Sequence, residues 1–156
     1  MSEWDVNKVL AEKNIVIPPM NKPGGSYTPF VKTGSLVFIA GQTPRMGTEV
    51  KFTGKVGADL SIEKGQEAAR LCALNILAVV KEACGGDLNR VVAIPRVAGL
   101  VNCMPDFTQH PQVINGASDF LVEVFGEKGR HARVASGSVS LPGNVAVEVE
   151  AVFEIK

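Results

Sequence analysis

The chain has 156 residues and a mass of 16.5 kDa, which is the size of one compact domain. Sixteen Lys and Arg residues balance sixteen Asp and Glu residues, and 46% of the residues are hydrophobic, so a folded core is expected. A formal net charge of zero provides no basic field for nonspecific phosphate binding, which argues against nucleic acid as a partner. The same composition disfavours a disordered or a fibrous protein.

The first predicted elements are a short helix and a β-hairpin. Ser2 is a suitable N-cap for an amphipathic helix that runs to about Lys13, so residues 1–20 are expected to form a helical extension. After a loop rich in proline and glycine, residues 27–32 and 35–40 have the composition of two strands joined by a tight turn. This part of the chain therefore predicts one helix followed by a strand pair.

The principal helix is the clearest prediction in the remainder. Ser61 is a good N-cap for a helix over residues 62–84, whose apolar positions repeat at helical spacing. The other predicted elements are an irregular strand pair within 41–59, a strand at 91–102, a helix at 111–125, and strands at 133–140 and 145–155. This order predicts a single α+β domain over residues 1–156, in which two main helices pack on one face of a mixed β-sheet.

Three carboxylates share one face of the last predicted strand. Glu148, Glu150 and Glu154 alternate with apolar residues, so all three point to the same side of the sheet. If the last two strands form a hairpin, their register places Arg133 on that side as well, about 13 Å along the strand from Glu148. A bulge near Gly137 or a second subunit would then be needed to bring the arginine and the carboxylates together.

The cysteines and histidines carry no metal-binding pattern. Cys72, Cys84 and Cys103 are odd in number and lack C-x-x-C spacing, so buried free thiols are expected rather than disulfides. The two histidines are His110 and His131. A Cys–His nucleophile pair stays open as an alternative, although neither histidine has an evident third partner in the sequence.

The chain has no segment of the length and polarity that a membrane span or a signal peptide requires. Its first residues are neither basic nor apolar, and the longest apolar stretch, residues 71–80, is about half a membrane span. We therefore expect a cytoplasmic protein without a membrane partner. No phosphate-binding loop, zinc-protease motif or nucleophile elbow occurs either.

Arg133 is the best candidate for a ligand-binding residue on chemical grounds. The small residues Ala135, Ser136 and Gly137 follow it and leave room for a carboxylate that the guanidinium would hold by two hydrogen bonds. The alternative is that residues 130–133 are only a solvated basic start of a strand.

Three stretches of the sequence resemble the YjgF/RidA (L-PSP endoribonuclease-like) family. Residues 34–44 are similar to its signature of a glycine, a hydrophobic strand and G-Q-x-P, and the alanine-rich helix from Ser61 resembles its first long helix. Ala132 and Arg133, followed by residues 147–151, resemble its C-terminal signature. The three stretches occur in the family's order and spacing. The resemblance implies a chorismate-mutase-like α+β fold.

The resemblance also implies an activity and an assembly. Members of this family form homotrimers with ligand clefts at the subunit interfaces, and they hydrolyse reactive 2-imino acids to 2-keto acids and ammonia without a metal or an organic cofactor. By position, Arg133 would hold the substrate carboxylate, Glu148 would orient the hydrolytic water, and Tyr27 would help to position it. The Gly41 backbone and Asn115 would line the cleft.

Two positions depart from the deaminating relatives. Ala135, which would also line the cleft, stands where they carry a cysteine, and Ala40 stands where they carry a serine. The expected partner is a small carboxylate or imino acid, and an imine deaminase is the first hypothesis. A trimeric module that binds small carboxylates without turnover is the alternative, and an endoribonuclease is a third possibility.

Overall fold

The computed structural model describes residues 3–156, so the predicted N-cap Ser2 lies outside the described residues. The described helices are α1 (Val6–Glu12), α2 (Ile62–Ala83) and α3 (His110–Phe125). The strands are β1 (Phe30–Thr33), β2 (Leu36–Gln42), β3 (Arg45–Met46), β4 (Glu49–Val50), β5 (Val91–Asn102), β6 (Ala132–Ser138) and β7 (Val147–Ile155). The predicted α+β class, with α2 and α3 on one face of a mixed sheet, is confirmed.

The main sheet has five strands in the order β1-β2-β7-β5-β6, and β3 and β4 form a separate pair. Every pair of neighbours in the main sheet is antiparallel except β5 and β6, which are parallel. The predicted hairpin between the last two strands is therefore wrong. Strand β6 forms one edge of the sheet, and β5 separates it from β7.

The segment between β6 and β7 explains why no hairpin forms. Its backbone pairs with another part of the chain, since Gly54 N donates to Asn144 O at 2.8 Å and Ala146 N donates to Phe52 O at 2.9 Å. The buried Asn102 side chain also donates to the carbonyl of Val145 at 3.1 Å. These long-range hydrogen bonds satisfy the backbone groups that a tight turn would have paired locally.

Asp5 is the N-cap of helix α1. Its Oδ1 accepts hydrogen bonds from the backbone N–H groups of Asn7 and Lys8, at 3.0 and 3.3 Å. Asn89 donates to the same oxygen at 3.1 Å and accepts from Val6 N at 2.8 Å. The helix consequently begins at Val6, later than predicted, and it is attached to the turn that precedes β5.

Helices α2 and α3 pack closely against each other. Ser61 caps α2 as predicted, because its Oγ accepts from Lys64 N at 3.1 Å. A Cβ on Gly116 would lie 2.8 Å from the Cα of Gln66, so α3 needs glycine at this crossing.

The three cysteines are all buried and free, as predicted. No helix between residues 3 and 156 is long and apolar enough to cross a membrane.

The two faces of the sheet differ in composition. The side chains of β7 that point toward the helices are fully or almost fully buried, whereas those of Glu148, Glu150 and Glu154 point to the other face, as predicted. Exposed apolar side chains lie on that second face, among them Phe38 and Leu100. The sheet thus has one face covered by helices and one open face.

Candidate functional site

A groove of about 780 Å³ lies beside β2 and brings together three of the predicted site residues, Tyr27, Gly41 and Glu148. One wall is the segment around residues 21–29, and the other is formed by β1, β2 and the start of β3. The groove is open to solvent. Arg133 and Asn115 do not line it.

Gly41 lies in a bulge of β2 and faces Glu148. The β2–β7 pairing shifts between Ile39, which pairs with Ala151, and Gln42, which pairs with Val149, so β2 has one extra residue there. A Cβ at Gly41 would lie 3.1 Å from Glu148 Cδ and closer still to its Oε1. Only glycine leaves space for the carboxylate at this point.

Burial raises the pKa of Glu148 above its ordinary value, and the nearby Glu150 carboxylate raises it further. The side chain is half-buried, and it lines the groove together with two cationic residues, Lys22 and Arg45. Within residues 3–156 neither cation forms an ion pair, and Arg45 Nε donates only to Thr43 Oγ1 at 3.2 Å. The groove therefore combines a carboxyl group of raised pKa with positive charge.

The hydroxyl group of Tyr27 also belongs to this groove. Its oxygen accepts a hydrogen bond from Gly24 N at 3.2 Å, so the hydroxyl proton remains available to a water or a ligand. The ring is half exposed and lies on the wall opposite β2.

Arg133 lies on the helix-covered face of the sheet, not on the face of Glu148. It pairs with Val97 on β5, and Val97 pairs with the buried Ala151 on β7. Paired residues share a face, so the prediction that Arg133 and Glu148 share one is wrong. The error follows from the hairpin assumption, because pairing β6 directly with β7 reverses the face on which Arg133 lies.

Arg133 contacts helix α3 instead. Its Nη1 donates to Asn115 Oδ1 at 2.7 Å and to Ser118 Oγ at 3.1 Å. Asn115 and Ser118 are three residues apart on α3 and therefore share one side of the helix. Ala135 lies on the same face of β6 as Arg133 and packs partly against the core.

The predicted site residues thus form two groups within one chain. Arg133 and Glu148 are two strand spacings apart across the sheet and three residues apart along it, which separates their Cα atoms by about 14 Å. A bulge near Gly137 is one of the two ways to bring them together, and it is absent, because β6 pairs with β5 in continuous register from Ala132 to Ser138.

Sequence reasoning missed a second polar pair beside Arg133. Ser118 Oγ lies 2.8 Å from His131 Nε2, and His131 Nδ1 lies 2.7 Å from the carbonyl oxygen of Gly129. These residues come from α3, from the position just before β6 and from the short 3₁₀ turn between the two elements. The sequence signal for this cluster is the i, i+3 spacing of Asn115 and Ser118, which places both on one side of α3. That signal becomes useful only when β6 is known to lie beside α3.

The Cys–His alternative has a counterpart in the structure. Cys103 Sγ lies 3.6 Å from His110 Nε2, and both atoms lie against Gly137, whose Cβ would come within 2.8 and 2.6 Å of them. The His110 ring meets Phe107 edge-on at 5.3 Å. The thiol is buried, so it is not part of the groove. No group of three His, Cys, Asp or Glu residues that could hold a metal ion occurs within residues 3–156.

Comparison with known proteins establishes the family. A family model described as "YjgF/chorismate_mutase-like, putative endoribonuclease" matches residues 7–154. The α+β fold agrees with this match. The chain therefore belongs to the YjgF family.

Individual relatives agree with this assignment. Protein TCP17 of Trypanosoma cruzi is 40% identical over 147 residues, which cover 94% of this chain and 91% of that protein. A RutC family protein of Pyrococcus abyssi is 33% identical over 146 residues, covering 92% and 97%. The crystal structure of Atu1372 from Agrobacterium tumefaciens, a protein of unknown function, is 40% identical with a TM-score of 0.90, covering 97% and 92%. A Shewanella oneidensis structure described as "a putative endoribonuclease" is 33% identical with a TM-score of 0.92, covering 97% and 99%.

Proposed function

We propose that this protein hydrolyses small 2-imino acids to 2-keto acids and ammonia, in a site shared between two copies of the chain. One copy contributes Tyr27, Gly41 and Glu148, and the neighbouring copy contributes Arg133 and Asn115. The observation that carries the proposal is the separation of these two groups within one chain. Each group can still bind a ligand, because the groove beside Glu148 is open and Arg133 uses only Nη1 in its hydrogen bonds to α3.

The unused capacity of Arg133 suits a substrate carboxylate. Its Nη1 is engaged by Asn115 and Ser118, whereas its Nε and Nη2 make no hydrogen bond within residues 3–156. No carboxylate of the same residues lies within ion-pair distance of it either. The Nε–Nη2 edge is the one that holds a carboxylate by two parallel hydrogen bonds.

Glu148 suits the proton transfers of imine hydrolysis. Water adds to the imine carbon, and one of its protons passes through Glu148 to the imine nitrogen, which gives a carbinolamine. Its hydroxyl proton then passes through the same carboxylate to nitrogen, the C–N bond breaks, ammonia leaves and the carbonyl forms. A carboxyl group whose pKa is raised by burial serves both steps, since it holds and releases a proton closer to neutral pH. In this proposal the Tyr27 hydroxyl, which belongs to the same groove, orients the attacking water.

The assembly is part of the proposal. Strand β6, which contains Arg133, is an edge strand of the main sheet. The open face of the sheet carries exposed apolar side chains, including Phe38, Leu100 and Val134. Contact between copies would remove this apolar surface from water. A closed ring of three copies, as the family resemblance implies, gives every groove a neighbouring Arg133.

A carboxylate-binding module without turnover is the second candidate. Ala40 and Ala135 favour it, because they supply no polar group where the deaminating relatives carry serine and cysteine. Lys22 and Arg45 line the groove and would attract an anion even if no chemistry followed.

A coupled assay tests the proposal. An amino-acid oxidase generates 2-imino acids in the presence of the protein, and semicarbazide traps the imine that escapes hydrolysis. Arg133→Gln removes two charge-assisted hydrogen bonds, each worth about 1.5–3 kcal/mol, so kcat/KM is expected to fall by at least about 100-fold. Arg96→Gln is the matched control, since Arg96 is an exposed arginine on the neighbouring strand.

The possible results separate the candidates. Lower imine trapping by wild type and Arg96→Gln, but not by Arg133→Gln, supports the deaminase. If wild type leaves trapping unchanged for several imino acids yet binds their 2-keto acids in an Arg133-dependent manner, the binding module replaces it. Cleavage of an RNA oligonucleotide by wild type without imine hydrolysis would favour the endoribonuclease instead.

A further inference from the structure

Ser118 and His131 form a hydrogen-bonded pair with the geometry of a nucleophile and its base. The distance from Ser118 Oγ to His131 Nε2 is 2.8 Å, within the range that activates a serine hydroxyl. The ring is oriented by a third group, because Nδ1 lies 2.7 Å from the Gly129 carbonyl oxygen. Both side chains are only partly buried, so a small molecule can reach them.

The hydrogen bonds fix the direction of the protons. A carbonyl oxygen can only accept, so His131 Nδ1 carries the ring proton and donates it to Gly129. In the neutral ring Nε2 is then bare and accepts the hydroxyl proton of Ser118. A backbone carbonyl thus orients His131 as a carboxylate orients the histidine in better-known triads.

Arg133 completes the cluster. Its Nη1 donates to Ser118 Oγ at 3.1 Å, and this positive charge stabilises an alkoxide that forms on the oxygen. Asn115 Oδ1 is held by the same nitrogen at 2.7 Å, and its Nδ2 makes no hydrogen bond within residues 3–156. The Asn115 amide therefore keeps an N–H donor on the same side of α3 as Ser118.

We infer that Ser118 is a nucleophile that accepts short acyl groups bearing a free carboxylate, with His131 as its base. Arg133 holds the free carboxylate through Nε and Nη2 and so places the acyl carbon near Ser118. The inference goes beyond the imine hydrolysis proposed above, because it requires neither Glu148 nor a second copy of the chain. The two share Arg133 and Asn115.

The reaction is an ordinary acyl transfer. Ser118 Oγ forms a bond to the acyl carbon, its proton passes to His131 Nε2, and the bond from the acyl carbon to the leaving oxygen breaks. The leaving group takes the proton from His131. Water then cleaves the acyl-serine by the reverse proton path, which releases a dicarboxylate and regenerates the hydroxyl.

Rapid mixing with p-nitrophenyl hemisuccinate tests the inference, with p-nitrophenyl butyrate as the uncharged ester of similar length. Wild type is expected to release a burst of about one nitrophenolate per chain from the charged ester, and intact-mass and peptide mapping should find the succinyl group on Ser118. Ser118→Ala loses the burst, and His131→Gln slows it by about 100-fold. Ser140→Ala, which removes another exposed serine hydroxyl, retains it.

Arg133→Gln tests whether this arginine holds the free carboxylate, through the half-saturating concentrations of the two esters. It should raise the half-saturating concentration of the hemisuccinate at least about 10-fold and leave that of the butyrate ester unchanged. A burst that persists in Ser118→Ala, or succinyl groups found on lysines only, would overturn the inference. Ammonia release from imino acids is measured separately, so either proposal can fail while the other stands.

Discussion

The Glu148 carboxylate lies against the Cα of Gly41, in the space that any other residue would fill with a Cβ. The β2 bulge creates this contact by turning Gly41 toward β7. Gly41 has no positive φ, so the requirement for glycine comes from the approach of the carboxylate and not from the backbone conformation. Gly41 therefore determines where Glu148 can reach into the groove.

Gly41→Ala is expected to displace the Glu148 carboxylate while leaving the fold intact. The atom that a new Cβ meets is the end of a flexible side chain, which can rotate away at little cost in stability. A misplacement of about 1 Å at a catalytic group lowers a rate by about 100-fold. Imine hydrolysis and the thermal midpoint measured on the same sample check both parts of this prediction.

Gly34→Ala provides the control for stability. Gly34 has φ of +59°, so alanine is strained there by about 1 kcal/mol, yet no atom lies within 4 Å of the new Cβ. This variant should lose stability and keep its activity per folded chain. Equal loss of activity in both variants would contradict the role given to Gly41.

Glu148→Gln is expected to stabilise the protein at high pH. Because burial raises the pKa of Glu148 in the folded state, the folded chain binds its proton more tightly than the unfolded chain does. Wild-type stability is therefore lost as the pH rises from the ordinary glutamate value through the raised one. The thermal midpoint of Glu148→Gln minus that of wild type should increase as the pH rises above the ordinary glutamate pKa and should level off above the raised pKa.

Glu150→Gln tests the second cause of the same pKa shift. Removal of the neighbouring negative charge should lower the pKa of Glu148, so the acidic limb of the pH–rate profile should move to lower pH. Glu154→Gln, a carboxylate removed farther along the same face, serves as the control. If the acidic limb of the pH–rate profile keeps its position in Glu150→Gln, the titration of Glu148 does not produce that limb.

Mixing two inactive variants tests whether the site is shared between copies. Arg133→Gln and Glu148→Gln chains are unfolded together and refolded as a mixture, and imine hydrolysis is then measured. If Arg133 of one copy meets Glu148 of another, random association in equal amounts rebuilds about a quarter of the sites. Each variant refolded alone is the control. If mixed assemblies form and recover no activity, Arg133 and Glu148 do not act together across two copies, and the shared site is contradicted.

Trp4→Ala is expected to loosen the N-terminal helix. Trp4 Nε1 donates to Val124 O at 2.9 Å, and its ring packs on Gly126 at the end of α3. Loss of this hydrogen bond and packing should cost about 1–2 kcal/mol and lower the thermal midpoint by about 2–8 °C. Hydrogen exchange should also increase in α1. Val16→Ala, at a side chain that is 82% exposed, should change neither measurement.

The amino-acid sequence predicted the local elements well because their signals act over a few residues. The Ser61 hydroxyl caps α2 through a backbone group three positions away, and the alternation along β7 assigns its carboxylates to one face. The helix cap at Asp5 was missed because Ser2 and Asp5 are both suitable capping residues and lie close together in the sequence. The side chain of Asp5 is held by Asn89, a contact between residues far apart in the chain.

What the sequence by itself determined is the α+β class, the helices and strands, the family, and the residue types available for chemistry. Only the tertiary structure decided which strand lies beside β6, and with it the face of Arg133. That choice depends on hydrogen bonds such as those between Asn102 and Val145, which join residues far apart in the chain. The pairing of Ser118 with His131 and the separation of Arg133 from Glu148 follow from the same long-range packing.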